Sequence, residues 1–346
     1  MKKKLSLAVC MLLVFALVLT GCSGAASPAA SPDSSSAPAA SATASAGDVD
    51  WPTKPITLLV GYSAGGSSDL GARFLATALE KQLGQPVIVE NKPGSGSWVA
   101  WNQLLYNTPK DGYTFALTNL SVLFGAYDEK NPRKETMDDF ELMANQAIDY
   151  QVIAIRSDET RFTDFASLVE YSKNNDLLVA AASTGITSGE GSVAKMMEKE
   201  FGSKITLVPV EGAKDAETMF VSKNTDILFN NVGDTTNSHK KGDYKVIVVF
   251  GKERSTMLPD VPTAIETGLC DYVSFSARGY GYAKGVAPSI VEKMTAALAK
   301  AIEDPECVKN MNDMGVEIKL YTGDEYKELL RNQLDTRLEI WGIPKK

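Results

Sequence analysis

Histidine is nearly absent. The chain of 346 residues holds one, His239, and only four cysteines. Cys10 and Cys22 lie in an N-terminal leader, which leaves Cys270 and Cys307 in the body. Zinc sites draw on three or four His, Cys or acidic ligands at set spacings, and no His-Glu-x-x-His run occurs. No metal and no cofactor is expected. A Gly-x-x-x-x-Gly-Lys-Ser/Thr loop is missing as well, so the usual phosphate cradle of nucleotide hydrolases is excluded. Positive charge is short: 35 Lys and Arg face 43 Asp and Glu, a formal net charge of −8. Without a basic stripe, nucleic acid is not expected as a partner. No internal repeat is visible. Cys270 and Cys307 leave a disulfide open outside the cell, but the sequence does not give their separation.

What is present begins at the N-terminus. Lys2, Lys3 and Lys4 precede an apolar run at residues 5–19, which ends in Leu19-Thr20-Gly21-Cys22. A charged start followed by a short apolar core is an export signal, and the run falls short of the roughly 20 residues of a membrane span. The ending resembles the bacterial lipoprotein box, in which the cysteine is lipidated. Cys22 is therefore the expected lipid site and the chain's expected link to a membrane, with residues 1–22 as signal. Residues 23–50 are almost wholly Ser, Ala, Pro, Thr and Gly. They lack the apolar side chains that offset chain entropy, so a spacer is expected there.

The body has ordinary composition, with 44% hydrophobic and 23% charged residues over the chain. It is long enough for two cores. Strand and helix patterns alternate along it. Strands are expected at 56–60, 87–90, 113–118, 152–155, 177–182, 205–210, 226–229 and 245–250. Helices are expected at 68–83, 164–173, 191–201 and 213–223, with Trp98, Trp101 and Leu105 on the core face of another. Ser289 with Glu292, and Thr322 with Glu325, have capping-box spacing. Such alternation implies parallel sheets covered by helices, in two α/β lobes.

Two glycine-rich turns sit where a strand meets a helix. The first runs from Gly61 through Ser63, Ala64, Gly65, Gly66 and Ser67 to Asp69. The second holds Thr184, Gly185, Thr187 and Ser188. A weaker third is Gly212-Ala213. Glycine lets the backbone approach a ligand, and a helix start offers unpaired N–H groups and partial positive charge. A carboxylate leaving water needs several donors, since a charge-assisted hydrogen bond contributes about 1.5–3 kcal/mol. Two facing helix starts can supply them without an arginine. Arg73 and Arg278 read better as outer-face or interlobe ion pairs. Asn119, Asn230 and Asn231, at strand ends, are further candidate contacts.

One enzyme reading competes. Residues 61–65 fit Gly-x-Ser-x-Gly, the nucleophile elbow of α/β-hydrolases. Ser63 would be the nucleophile, His239 the base, and Asp226 or Asp234 its orienting partner. Against this serine-esterase alternative, the elbow follows the first strand of the body, and His239 lies in a polar stretch, residues 237–242, that reads as a solvated turn.

Several segments together resemble one family, the solute-binding proteins of tripartite tricarboxylate transporters, or Bug family. They are Trp51-Pro52-Thr53-Lys54-Pro55-Ile56; Ala64-Gly65-Gly66 with Asp69, Ala72 and Arg73; Gly84-Gln85-Pro86-Val87; Val89-Glu90-Asn91-Lys92-Pro93-Gly94; Asp111-Gly112-Tyr113-Thr114; Val208-Pro209 with Gly212; and Leu258-Pro259-Asp260-Val261-Pro262-Thr263. The resemblance implies an α/β, two-lobe type II periplasmic-binding-protein fold with a ligand cleft between lobes. Lobe one would hold residues 51–148 and 282–346, and lobe two residues 149–281. It implies a non-enzymatic, monomeric receptor outside the cell membrane. The receptor would capture a small carboxylate, whether di- or tricarboxylate, aromatic acid or acidic amino acid, and pass it to membrane permease subunits. Main-chain groups of the two turns would hold one carboxylate. The chain departs from the family in its second turn, one residue longer and without the following histidine, and in Val210-Glu211 where Tyr-Lys is common.

Overall fold

A computed structural model describes residues 50–127, 132–181, 187–210 and 213–345. Cys22, the leader and the spacer lie outside the described residues, as do Thr184, Gly185 and Gly212.

The chain opens with β1 (Ile56–Val60), α1 (Ser67–Leu83), β2 (Val87–Asn91), α2 (Trp98–Tyr106), β3 (Thr114–Thr118), the short α3 (Ser121–Phe124) and the long β4 (Phe140–Arg156). It continues with α4 (Phe165–Ser172), β5 (Leu177–Ala181), α5 (Gly189–Phe201), β6 (Ile205–Pro209), α6 (Ala213–Val221), β7 (Leu228–Asn231), α7 (Val232–Lys241) and β8 (Tyr244–Val249). It ends with β9 (Phe275–Ala283), α8 (Pro288–Ile302), α9 (Pro305–Asp313), β10 (Ile318–Thr322) and α10 (Gly323–Trp341).

Strand β1 is apolar at every position but Thr57 because both faces are covered, as parallel strands require. Ile56, Leu58, Leu59 and Val60 are all fully buried. It pairs in parallel with β2 and β3. Helix α1 lays Ala72, Leu75, Ala76 and Leu79 on this sheet and ends at Gly84, whose φ of 67° lets its N–H reach Glu80 O.

The parallel expectation holds for β1–β3 and for β5 with β6, but β4 and β9 run antiparallel to their neighbours. The strand expected at 152–155 is the far end of the 17-residue β4. Its first part pairs with β9, from Phe140 opposite Ala283 to Tyr150 opposite Phe275, and with β10 on the other edge. From Gln151 onward it pairs with β7 and β8 instead. One strand thus serves two strand sets, and each set has its own apolar clusters. Ile56, Leu75, Phe115 and Leu298 belong to one side; Ile153, Phe165, Met197 and Phe250 to the other.

Three local expectations are corrected. Ser289 and Glu292 do not cap α8, which starts after Ala287 with Pro288 in its first turn. Thr322 is the residue before α10, but its side chain makes no cap bond. His239 is not in a solvated turn; it lies in the last turn of α7, and its Nδ1 accepts the Val246 N–H at 3.1 Å. Burial and nearby Lys245 and Lys240 lower its pKa despite Asp260. Cys270 and Cys307 are both free thiols.

Candidate functional site

The strand ends that follow β1, β3 and β7 surround a cleft of about 460 Å³. Tyr62, Ser67 and Ser68 contribute from the end of β1 and the start of α1; Asn119, Leu120 and Ser121 from the end of β3 and the start of α3. Across from these, Thr187, Ser188, Gly189 and Glu190 open α5, and Asn231 and Asp234 open α7. Ser276, Ala277 and Arg278 of β9 and Arg337 of α10 also line the space. The starts of three helices of eight residues or more therefore face one cavity, which favours negative charge there.

Arg278 dominates the wall. It is 6% exposed. Its Nη2 donates to Ser67 Oγ at 3.2 Å and to Asp149 Oδ2 at 3.3 Å. Its buried Nη1 has no hydrogen-bond partner among the described residues. A buried donor with no acceptor carries a desolvation penalty of about 1–3 kcal/mol, more when charged. Asp149 is itself 2% exposed and accepts the Gly233 N–H at 2.9 Å. Burial raises its pKa against the pull of Arg278 and that amide. The Asp234 carboxyl is wetted from the cleft but walled by protein. Desolvation raises its pKa, and the Asp149 and Glu190 charges add to the rise while Arg278 opposes it.

Supporting bonds fix these groups. Asn119 Oδ1 accepts the Ser121 N–H at 2.7 Å, and its Nδ2 donates to the Tyr62 hydroxyl. Ser188 caps α5, with Oγ accepting the Gly191 N–H at 2.9 Å and donating to Glu190 Oε2 at 2.7 Å. Gln151 Nε2 donates to Asn231 Oδ1.

Of the residues expected from sequence, Ser67, Asn119, Thr187, Ser188 and Asn231 line the cleft. Ser63, Ala64, Gly65 and Gly66 are exposed and are not among its lining residues. Asp69 turns inward instead. It accepts the Gly65 N–H at 2.8 Å, Arg73 Nε at 3.1 Å and Asn91 Nδ2 at 2.9 Å. Burial alone would raise its pKa, but those bonds outweigh it and hold it low. The amide of Gly65 is thereby used within the turn. Ala213 starts α6 outside the lining, and Asn230 is buried with its Oδ1 on the Asn231 N–H. Sequence reasoning missed Arg278, Glu190, Asp234 and Arg337 as cleft residues. Arg278 was read as an ion pair, which it is; that one of its nitrogens remains unpaired is visible only in three dimensions.

The family model described as tripartite tricarboxylate transporter family receptor matches residues 71–341. The chain belongs to that family. A relative from Agrobacterium vitis, named UPF0065 protein in the TAR-I ttuE-ttuC' intergenic region, is 31% identical over 265 residues, covering 77% of this chain and 76% of that protein. Among solved structures, the periplasmic binding protein BugD superposes with a TM-score of 0.72 at 26% identity, covering 86% of this chain and 100% of that one. MatC from Rhodopseudomonas palustris, solved with bound malate, gives a TM-score of 0.71 at 23% identity over 84% of this chain and 99% of its own. The fold is the two-lobe fold of periplasmic binding proteins. Members of this receptor family are extracytoplasmic solute-binding proteins and not enzymes, so the hydrolase reading of Ser63 falls. Among the described residues no helix is long and apolar enough to cross a membrane, and no cluster of three or more His, Cys, Asp or Glu could hold a metal ion.

Proposed function

We propose that this chain captures a small organic carboxylate in the cleft and delivers it to the permease subunits of a tripartite tricarboxylate-type transporter. The observation that carries the ligand class is Arg278, a guanidinium 6% exposed on the wall of a cavity of about 460 Å³ that three helix starts face. The malate in MatC and the adipate in a second R. palustris neighbour support a carboxylate here. Ser67, Asn119, Thr187 and Ser188, with main-chain N–H groups of the helix starts, complete the anion site, and the sequence adds Thr184, Gly185 and Gly212 as candidates outside the described residues.

Lobe one comprises residues 51–148 and 282–346, and lobe two residues 149–281, closing on the solute by bending of the strands they share. The monomer is tethered through residues 23–50 to lipid on Cys22, and Cys22→Ala should shift it from membrane to soluble fractions. The test of ligand class is a thermal-shift screen over carboxylates, followed by calorimetry on hits. A ligand at 100 times its Kd stabilises by about 2.7 kcal/mol. Binding by neutral sugars or cations, with no carboxylate active, would overturn the reading.

A further inference from the structure

Tyr62, just past the end of β1, lines the cleft together with Asn119 and Gly96. Its hydroxyl is held from the protein side. Asn119 Oδ1 accepts the Ser121 N–H at 2.7 Å, which fixes the amide and turns Nδ2 the other way. That Nδ2 donates to the Tyr62 hydroxyl and, at 3.4 Å, to Ser97 Oγ. Both amide protons are then used. Ser97 is fully buried. Among the described residues its side chain has two hydrogen-bond partners, Asn119 Nδ2 and the Tyr62 hydroxyl. An amide N–H accepts nothing, so the Ser97 proton has one outlet, the Tyr62 oxygen.

The backbone that carries Ser97 is strained. Gly94, Ser95, Gly96 and Ser97 all take positive φ, of 133°, 49°, 62° and 84°. Two of the four are serines, for which the left-handed region is uncommon. Strain of this kind persists where the surrounding structure fixes it, and it gathers at ligand clamps. Here the turn sets Ser97 against Gly61, so close that a Cβ on Gly61 would lie 2.5 Å from Ser97 Oγ. A bare Gly61 thus gives Ser97 its place beside Tyr62. Burial raises the Tyr62 pKa against the pull of Ser97, Arg278 and Asn119, so the phenol keeps its proton near neutrality.

One proton is left over. The Tyr62 oxygen accepts from Asn119 and Ser97, and no acceptor among the described residues takes its O–H. We infer that the Tyr62 hydroxyl donates to an oxygen of the bound carboxylate, with Ser97 and Asn119 as positioning residues that hold its oxygen and leave its proton to the cleft. This inference rests on the carboxylate reading above and adds a neutral donor to it. Arg278 lies within electrostatic reach of the same hydroxyl, so a carboxylate there receives a hydrogen bond and a favourable charge together. A ligand group that can only donate is refused at that position, because two protons would face each other.

The experiment starts from the acid that binds most tightly in a calorimetric screen of mono- and dicarboxylates on the purified protein. Tyr62→Phe removes the hydroxyl and should weaken that affinity about tenfold or more, the weight of one hydrogen bond to a charged acceptor. The same change strands Asn119 and Ser97, so a second variant separates donation to the ligand from support of the wall. In Tyr62→3,5-difluorotyrosine the ring fluorines make the phenol a stronger donor and a weaker acceptor. At mildly acidic pH, where that phenol is still protonated, affinity should rise severalfold over the unaltered protein. A hydroxyl that served only as acceptor for Asn119 and Ser97 would give a fall instead. Thermal unfolding without ligand verifies that both variants fold, and the fluorinated protein decides alone where Tyr62→Phe does not. Unchanged affinity in folded Tyr62→Phe, or equal or weaker binding by the fluorinated protein, would overturn the inference while leaving carboxylate capture intact. Failure of every acid with the unaltered protein would overturn the carboxylate reading together with it.

Discussion

Arg278 on β9 donates to Asp149 on β4 at 3.3 Å, and both side chains are more than nine-tenths buried beside the cleft. The two strands pair antiparallel at this point, with Ala147 opposite Arg278 and Asp149 opposite Ser276. Breaking such a pair from one side leaves an uncompensated buried charge, which costs about 3–5 kcal/mol. Arg278→Gln should therefore lower stability by about 3 kcal/mol and abolish carboxylate binding. Adding Asp149→Asn should recover most of the stability without restoring binding. Urea denaturation and calorimetry on the single and double variants separate the two effects; a double variant as unstable as the single would show that the pair is not the cause.

Gly61 is placed against Ser97. A side chain at Gly61 would put its Cβ 2.5 Å from Ser97 Cα, and Ser97 is itself held at φ 84°. The backbone must move to admit even a methyl group. Gly61→Ala should destabilise by about 2 kcal/mol or more. It should also weaken ligand binding, because Tyr62 and Gly96, neighbours of the clashing pair, line the cleft. Equilibrium unfolding with a parallel binding titration checks both.

Asp69 holds the first turn from within. Asp69→Ala removes acceptors from the Gly65 N–H, Arg73 and Asn91 together. A loss of about 2–3 kcal/mol is expected, as for a broken buried network. The affinity for ligand should fall as well, through displacement of Ser67 and Ser68. Asp69→Asn, which keeps an acceptor for the Gly65 N–H, should recover part of both. Equal losses in the two variants would locate the effect in the charge alone.

Acid stability should depend on Glu159. Hydrogen bonding to Arg161, whose Nη2 lies 2.8 Å from Oε2, outweighs burial and with the Arg161 and Thr160 N–H groups lowers its pKa from 4.5 to about 2. A depressed carboxylate contributes stability that is full above its unfolded pKa and is lost as pH falls toward the folded value. Glu159→Gln should cost about 2 kcal/mol at pH 7 and almost nothing at pH 2, so the unaltered and variant unfolding curves should converge between pH 4.5 and 2. A gap independent of pH would refute the assignment.

Much of the scaffold was legible in sequence. Apolar runs such as Ile56–Val60 and Leu177–Ala181 lie within 2 residues of their expected bounds, because parallel strands buried on both faces leave a continuous signal. The first part of β4 was not legible. Asn145, Gln146 and Asp149 interrupt its hydrophobic pattern, yet all are buried and bonded: Asn145 to Lys319 O, Gln146 to the Tyr280 hydroxyl, Asp149 to Gly233. Strand β9 was hidden for a related reason. Gly279 stands where any Cβ would overlap the Tyr326 hydroxyl, so packing selected a residue that weakens the strand signal. The helix-start character of the site could be read from Gly and Ser at strand ends. Its charges could not, since Glu190 on α5, Asp234 on α7 and Arg278 on β9 share one cavity only in three dimensions.

That β4 lends its edges to two strand sets has a thermodynamic outcome. Neither half can complete its hydrogen-bond ladder without the same 17-residue segment, so severing the chain near residue 150 would strip each fragment of a central rung. The C-terminal helix reinforces the dependence, since Leu330 packs into one cluster and Ile340 into another. The described strands should therefore melt as one cooperative unit, and a calorimetric scan should record a single endotherm.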